Sequence, residues 1–392
     1  MRLAWFRPDT APDDADDLAA VIQGLRGTHD IHVVDARAAH DFVWQAAQGA
    51  FDLCVYELDD SASHQYIWPY LLHYPGVVVL RTSSLHTWRA ISLVHQHRDG
   101  DRDAEMAFAD GAGRTDPPWP LLRGSWSTWR APAHASRMTV VSDEALASAV
   151  REACPGARVV VTPAGVPDPN AGPQPSLHQT GIRLHLTRGA SPKTIGAALV
   201  RARHAGAAPI AIVSGGLDVA DVVIATQWPT FGRPLTAALS GFAAGRVVIV
   251  AETASTAHWP SLDPQTWQPR SLSIGLGASE APIAISIDPR DEEHSLMLAL
   301  VRLAADAALR HSLGGAARAW WEQHATAARA VDAWRALLDE ARTLPVPPRP
   351  AGWPAHLDAD GSGLATVILD EFGLEPGWGH LKVAPTTTHS QS

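Results

Sequence analysis

Cysteine is scarce. The chain of 392 residues holds 2, Cys54 and Cys154, far apart in sequence. Two unclustered cysteines exclude a disulfide framework and a cysteine-based metal site. Each reads as a small buried hydrophobe, Cys54 inside the apolar run DLCVYEL and Cys154 near a helix end. No apolar run reaches the length of a membrane span, about 18 residues. The opening MRLAWFRPDT breaks at Pro8 and is too short for a signal-peptide core. These absences predict a cytoplasmic chain with no transmembrane segment. Basic excess is missing as well: 41 acids outnumber 31 bases and the net charge is -10. That balance argues against nucleic acid and anionic membranes as partners, although a pocket can carry a local sign of its own.

Hydrophobic residues make up 46% of the chain, a globular composition. The length suits two or three domains. Tryptophan is plentiful, 15 against 4 tyrosines and 7 phenylalanines. Indoles stack on sugar rings and also fill cores, so composition leaves both readings open.

Short Val-rich runs alternate with amphipathic stretches. Leu3–Phe6, Ile31–Val34, Leu53–Tyr56, Val77–Leu80, Thr139–Val141 and Val159–Val161 are nearly all apolar. Such runs predict strands of a parallel sheet covered on both faces. Asp14–Leu25 and Asp143–Ala153 read as crossover helices, the second capped by Ser142. The polar, Pro-rich run Pro167–Gln179 reads as a linker. The alternation then resumes with Ile182–Leu186, a helix over Lys193–Ala205, Ile210–Val213, Val222–Ala225, Val247–Val250 and Ile283–Ile287. Helical stretches follow at Asp291–Ala305, Ala316–His324 and Ala327–Leu344, then a Pro-rich break at Pro345–Pro354 and a short helix over Leu364–Phe372. The pattern predicts an α/β chain of two Rossmann-like, doubly wound domains facing a cleft. Their expected extents are 1–168 and 181–344, joined by a linker at 169–180, with 345–392 a Pro-rich break and tail. Ligands of such sheets sit beyond the carboxyl ends of the strands.

Three blocks carry a resemblance. They are VYELDDSASHQYIWPYLLHYPGVVVL at Val55–Leu80, VVSDEALASAVREACPGARVVVTPAGVP at Val140–Pro167, and a long block from Ala220–Thr253 through Ser261–Pro269 to Asp291–Gln323. In this order, with the tail near His356–Gly373, they resemble the bacterial family 4 retaining glycosyltransferases of the GT-B fold. The resemblance implies transfer of a sugar from a nucleotide-diphosphate sugar to a glycan or other acceptor, without a cofactor. It implies a donor site in the second domain and an acceptor site in the first.

Carried onto this chain, the resemblance makes Arg188, Gly189, Lys193, Arg233 and Thr236 donor-site candidates. His64, Tyr66, Arg81 and His86 become candidates for the acceptor cleft. A cation at a helix start has no helix-dipole reason to be there, so Arg188 and Lys193 fit either a phosphate grip or a solvated surface pair. Several positions depart from the family. The first loop, RPDTAPDDADDL, offers five aspartates and no glycine; those acids suit a helix N-terminus and would repel a diphosphate. Arg81-Thr82 stands where His-Asp is usual, and Arg233 stands where relatives place a glutamate. An arginine donates where a carboxylate would accept. The second domain is shortened around SGGLDV. These departures admit an inactive pseudo-glycosyltransferase that binds a glycan or nucleotide sugar, or that serves as partner subunit of an active relative. Trp119, Trp126 and Trp129 would then help form a protein-partner surface or, more simply, pack a core. No metal site is expected, and the DRD at Asp101–Asp103 reads as a solvated loop.

Overall fold

The computed structural model describes residues 1–8, 16–82, 84–110, 128–169, 181–187, 189–228, 235–270, 281–359 and 371. Two six-stranded sheets, parallel throughout, organise these residues. In the first sheet, β1 (Arg2–Phe6), β2 (Asp30–Val34), β3 (Leu53–Leu58), β4 (Val77–Leu80), β5 (Met138–Val141) and β6 (Val159–Val161) lie in the order β2-β1-β3-β4-β5-β6. The helices between them are α1 (Asp17–Leu25), α2 (Ala39–Ala47), α3 (Ile67–His73), α4 (His86–His95), α5 (Asp99–Asp110), α6 (Arg130–Ala135) and α7 (Glu144–Ala153).

All six residues of β3 are buried, as are all four of β4 and of β5. Burial on both faces explains the unbroken apolar runs. Ala4, Phe6, Cys54 and Tyr56 point to one face, against Phe42, Trp68 and Leu71. Leu3, Trp5, Leu53 and Val55 point to the other, against α1. Both cysteines are buried and unpaired.

The second sheet is built from β7 (Ile182–Leu186), β8 (Ile210–Ile212), β9 (Val222–Ala225), β10 (Val247–Ala251), β11 (Ser261–Leu262) and β12 (Ala284–Ile287), in the order β11-β12-β10-β9-β7-β8. Helix α8 (Pro192–His204) joins β7 to β8, and α9 (Thr236–Ala243) precedes β10. Helices α10 (Glu292–Ala305) and α11 (Ala307–His324) follow β12. The return from β8 to β9 is a turn with no helix, in keeping with the shortening around SGGLDV.

The last helix, α12 (Ala327–Thr343), does not stay with the second sheet. Its Ala330, Val331, Trp334, Leu337 and Leu338 pack into the Trp5 face of the first sheet, beside α1. The Trp334 and Trp5 rings lie 5.0 Å apart. The chain then runs over the opposite face. Trp353 and Leu357 join that core, and Arg349 donates to the Leu72 carbonyl at 2.9 Å. His356 Nε2 lies 2.9 Å from Glu105 Oε1, and Arg89 grips the same carboxylate in two-pronged fashion at 2.9 and 2.5 Å.

Two readings are corrected. Asp101–Asp103 lie in α5, not in a loop; Arg98–Asp101 and Arg102–Asp99 pairs, three residues apart, support that helix. The cap of α7 is Asp143, whose carboxylate accepts from the Leu146 N–H at 2.8 Å, rather than Ser142. Trp129 is a core residue at 4% exposure, in agreement with the simpler of its two readings. Trp119, Trp126, the linker from 170 to 180 and the helix over 364–370 lie outside the described residues.

Candidate functional site

The strand order reverses between β1 and β3 in the first sheet and between β7 and β9 in the second, where it turns back again at the β12–β11 edge. The loops leaving β1 and β3, and those leaving β7 and β9, diverge and open a crevice at the carboxyl edge.

At the first crevice the charged groups are committed to one another. The Trp5 indole donates to Glu57 Oε1 at 2.7 Å. Arg7 pairs with Asp16 and stands 3.5 Å from Glu57. Asp16 also caps α1 through the Ala19 N–H, at 3.0 Å. Arg81 Nη1 lies 2.7 Å from Asp17 Oδ1. Burial raises the Glu57 pKa above its ordinary value, and the charges of Arg7 and Arg81 and the Trp5 hydrogen bond offset part of that rise. Burial works against the Arg81 charge, but Asp17 and Glu57 outweigh it, so Arg81 holds its proton more firmly than usual. These ion pairs hold Arg7 and Arg81 against the sheet.

The other first-crevice candidates share this edge and are also engaged. Tyr66 donates its hydroxyl to the Val34 carbonyl at 2.8 Å, and burial raises its pKa. His64 Nδ1 lies 2.7 Å from Ser61 Oγ. His86 is the first residue of α4. The end of that helix is filled by a carboxylate that sequence reasoning missed. Asp60 accepts from the Trp88 N–H at 2.8 Å and the Thr87 N–H at 3.2 Å. The signal was present as Asp59-Asp60 after a strand, but its target lies 28 residues away.

The second crevice is different in kind. Gly189 turns the chain from β7 into α8 with φ +93°, a conformation that disfavours any side chain. A Cβ there would fall 2.8 Å from Cδ of Gln227, which leaves the neighbouring strand β9. Ser191, not a carboxylate, caps α8, accepting from the Thr194 N–H at 3.3 Å, and Pro192 opens the helix. Lys193 follows, exposed, with no ion pair among the described residues. Lys193 and Lys382 are the only lysines in the chain. Thr226, just beyond β9, is 3% exposed and its hydroxyl has no partner among the described residues. Thr236 begins α9, whose N-terminus has no side-chain cap among the described residues. The structure therefore brings Gly189, Lys193 and Thr236 to one edge. Arg188 and Arg233 lie outside the described residues. Thr226 was not singled out from sequence, because an unpaired hydroxyl is a tertiary property.

The two edges touch through Ser255, which follows β10 and donates to Asp143 Oδ2 at 3.2 Å. Among the described residues no three His, Cys, Asp or Glu side chains gather to hold a metal ion. None of the described helices is long and apolar enough to cross a membrane.

No protein-family model matches the sequence, and no curated relative is found for it. Solved structures do match in fold. One is Alr3699/HepE of Anabaena, crystallised with UDP-glucose, at TM-score 0.52 and 11% identity over 87% of this chain and 100% of that one. Another is WaaG, a glycosyltransferase of lipopolysaccharide biosynthesis, at TM-score 0.50 and 11% identity over 84% of this chain and 98% of that one. The chain has the GT-B-like fold, two Rossmann-like sheets whose carboxyl edges face one another.

Proposed function

We propose that this chain is a glycosyltransferase-like protein that takes the diphosphate of a nucleotide sugar into the crevice between β7 and β9, for transfer of the sugar to an acceptor on the first sheet. In this reading the first sheet, with α12 seated on it, is the acceptor side and the second sheet the donor side. The observation that supports it is the Gly189 turn, at the same carboxyl edge as the starts of α8 and α9, the buried Thr226 hydroxyl and Lys193, the last two without a partner among the described residues. Each helix end supplies about half a positive charge. With Lys193 they come close to balancing a diphosphate. Backbone N–H groups at helix starts bind such oxygens directly. The first crevice, by contrast, has its helix ends filled by Asp16 and Asp60. A diphosphate is thereby directed to the second sheet.

A second reading, binding without turnover, is favoured by one observation: Arg81 and Tyr66 are spent on protein partners at the edge where an acceptor would be activated. The presence of Arg233 where relatives of the resembled family place a carboxylate points the same way.

Calorimetric titration with a panel of nucleoside diphosphates and their sugars tests the binding. One nucleotide is expected to bind, and Lys193→Ala to weaken it by about 10- to 100-fold, the scale of a charged hydrogen bond. Lack of binding across the panel at millimolar concentration refutes the donor site. Release of free nucleotide diphosphate from the bound sugar, followed by chromatography, then separates turnover from binding alone.

A further inference from the structure

Lysine is almost absent from this chain: of its 31 lysines and arginines, 2 are lysine. Every ion pair between described residues takes its cation from arginine or histidine. Arginine is also the better grip for a phosphate, since its planar fork meets two oxygens at once. What lysine offers instead is a proton that can leave, and with it a nucleophilic nitrogen. A lysine at a candidate phosphate site, in a chain that otherwise uses arginine, therefore points to its amine chemistry.

Lys193 stands where that nitrogen has no competing task. It is exposed, in the first turn of α8, and no described residue pairs with it. Arg201, Arg203 and His204 of the same helix lie in its last turn, the end where the dipole favours cations. Lys193 lies at the opposite end, in a turn without an acid.

A second observation at this helix start points to an anion. Thr187 ties the end of β7 to β9: its N–H and its hydroxyl both donate to the Ile224 carbonyl at 3.1 Å. Two residues on, Gly189 lies against the Gln227 side chain. Thr226 stands in sequence between those two contact points on the β9 side. It is 3% exposed, and its hydroxyl has no partner among the described residues. A buried hydroxyl left unpaired costs free energy, which a phosphate oxygen at the turn relieves.

We propose that Lys193 is a site of acylation by acyl phosphates, the mixed anhydrides of a carboxylic and a phosphoric acid, and that acylation switches the crevice off. The proposal rests on reading the β7–β9 crevice as a phosphate site. The phosphate end of the reagent occupies the Gly189 turn and the start of α8, and brings the acyl carbon to the amine. The unprotonated Nζ attacks that carbon. A C–N bond forms, the bond from the acyl carbon to the bridging oxygen breaks, and inorganic phosphate leaves with the electron pair. The nitrogen releases one proton to solvent and becomes a neutral amide. The charge that a nucleotide diphosphate would meet is then gone.

Lys382, the other lysine, serves as the internal reference. The full chain would be treated either with acetyl phosphate or with N-hydroxysuccinimidyl acetate, which carries no phosphate and so reports the accessibility of each amine. Acetylation at each lysine is followed by mass spectrometry. The Lys193-to-Lys382 rate ratio is expected to be at least about tenfold higher with acetyl phosphate than with the ester. Millimolar pyrophosphate should abolish that excess, and Thr226→Val, which keeps the shape and deletes the hydroxyl, should reduce it. Equal ratios with the two reagents, or an excess that pyrophosphate leaves intact, would overturn the proposal. Titration of the unmodified chain with nucleoside diphosphates reads the donor site separately. Nucleotide binding with equal ratios refutes the acylation alone; an excess at Lys193 without nucleotide binding refutes the donor reading and supports phosphate-directed acylation. Where both hold, the acetylated chain should bind nucleotide about tenfold more weakly or worse. Unchanged affinity would overturn the switch.

Discussion

Replacing Gly189 with alanine separates backbone geometry from ligand binding in one experiment. At φ +93° an added Cβ meets the following carbonyl, a penalty of about 1–2 kcal/mol. It also meets the Gln227 side chain at 2.8 Å, but that contact is with the flexible end of a side chain that can swing aside. The stability loss should therefore stay within about 1–2 kcal/mol. Gly206, just past α8, supplies the control. Its φ is +79°, and a Cβ there meets nothing within 4 Å. Gly206→Ala carries the same kind of backbone penalty at the opposite end of the same helix. Urea denaturation should find the two variants destabilised by comparable amounts. Nucleotide titration should distinguish them. Gly189→Ala places a methyl between backbone and phosphate and should weaken binding by about tenfold or more, while Gly206→Ala leaves it unchanged. If Gly189→Ala loses no stability, the left-handed turn is refuted. If it loses stability but binds nucleotide as well as its parent does, the turn is real and the phosphate cradle is not.

Two further outcomes test the packing. Trp334→Ala empties a site that is 1% exposed, against Trp5, and should cost about 3–5 kcal/mol in urea denaturation; a loss below about 1 kcal/mol would refute the seating of α12 on the first sheet. The Arg89–Glu105–His356 clasp should show in the acid limb of stability. Burial raises the Glu105 pKa, but His356 and Arg89 outweigh it, and the net shift is below the ordinary 4.5. The carboxylate's contribution is thus complete above pH 4.5 and is lost as pH falls through the lowered folded value. Glu105→Gln should cost about 3–5 kcal/mol at neutral pH. That cost should shrink toward zero under acid, and a deficit independent of pH would refute the ionic role.

Most of the strands were legible because each is a four- or five-residue Val-rich run buried on both faces, a pattern that needs no tertiary knowledge. Strand β11 has only Ser261 and Leu262, too few to show a period. Helix α5 hid behind Gly100 and a dense charge run, since its stability comes from side-chain pairs rather than an apolar stripe. At the candidate site, Gly189 and Lys193 were readable from their place between strand and helix. The partners of Arg81 were not, because Asp17 lies 64 residues away and becomes its neighbour only when β4 lies beside β3 and α1 crosses their ends. The same holds for Asp60 on α4 and for the unpaired Thr226 hydroxyl. Sequence shows which residue types stand near a strand end; how their charges are already spent depends on the assembled sheet.

The seating of α12 has a consequence for synthesis. A ribosome delivers the first sheet's six strands early, yet one face of that sheet, with Trp5, Val55 and Val79, waits for Ala330–Leu338 before it is covered, and the opposite face waits for Leu357. The half of the protein that is translated first is therefore the half that finishes last. Through most of elongation the nascent chain carries an open apolar surface whose natural cover has not yet been made. Fragments ending before residue 327 are expected to need chaperones or to aggregate, while in the longer chain Trp5 and Trp334, far apart in sequence, close onto one face of the first sheet.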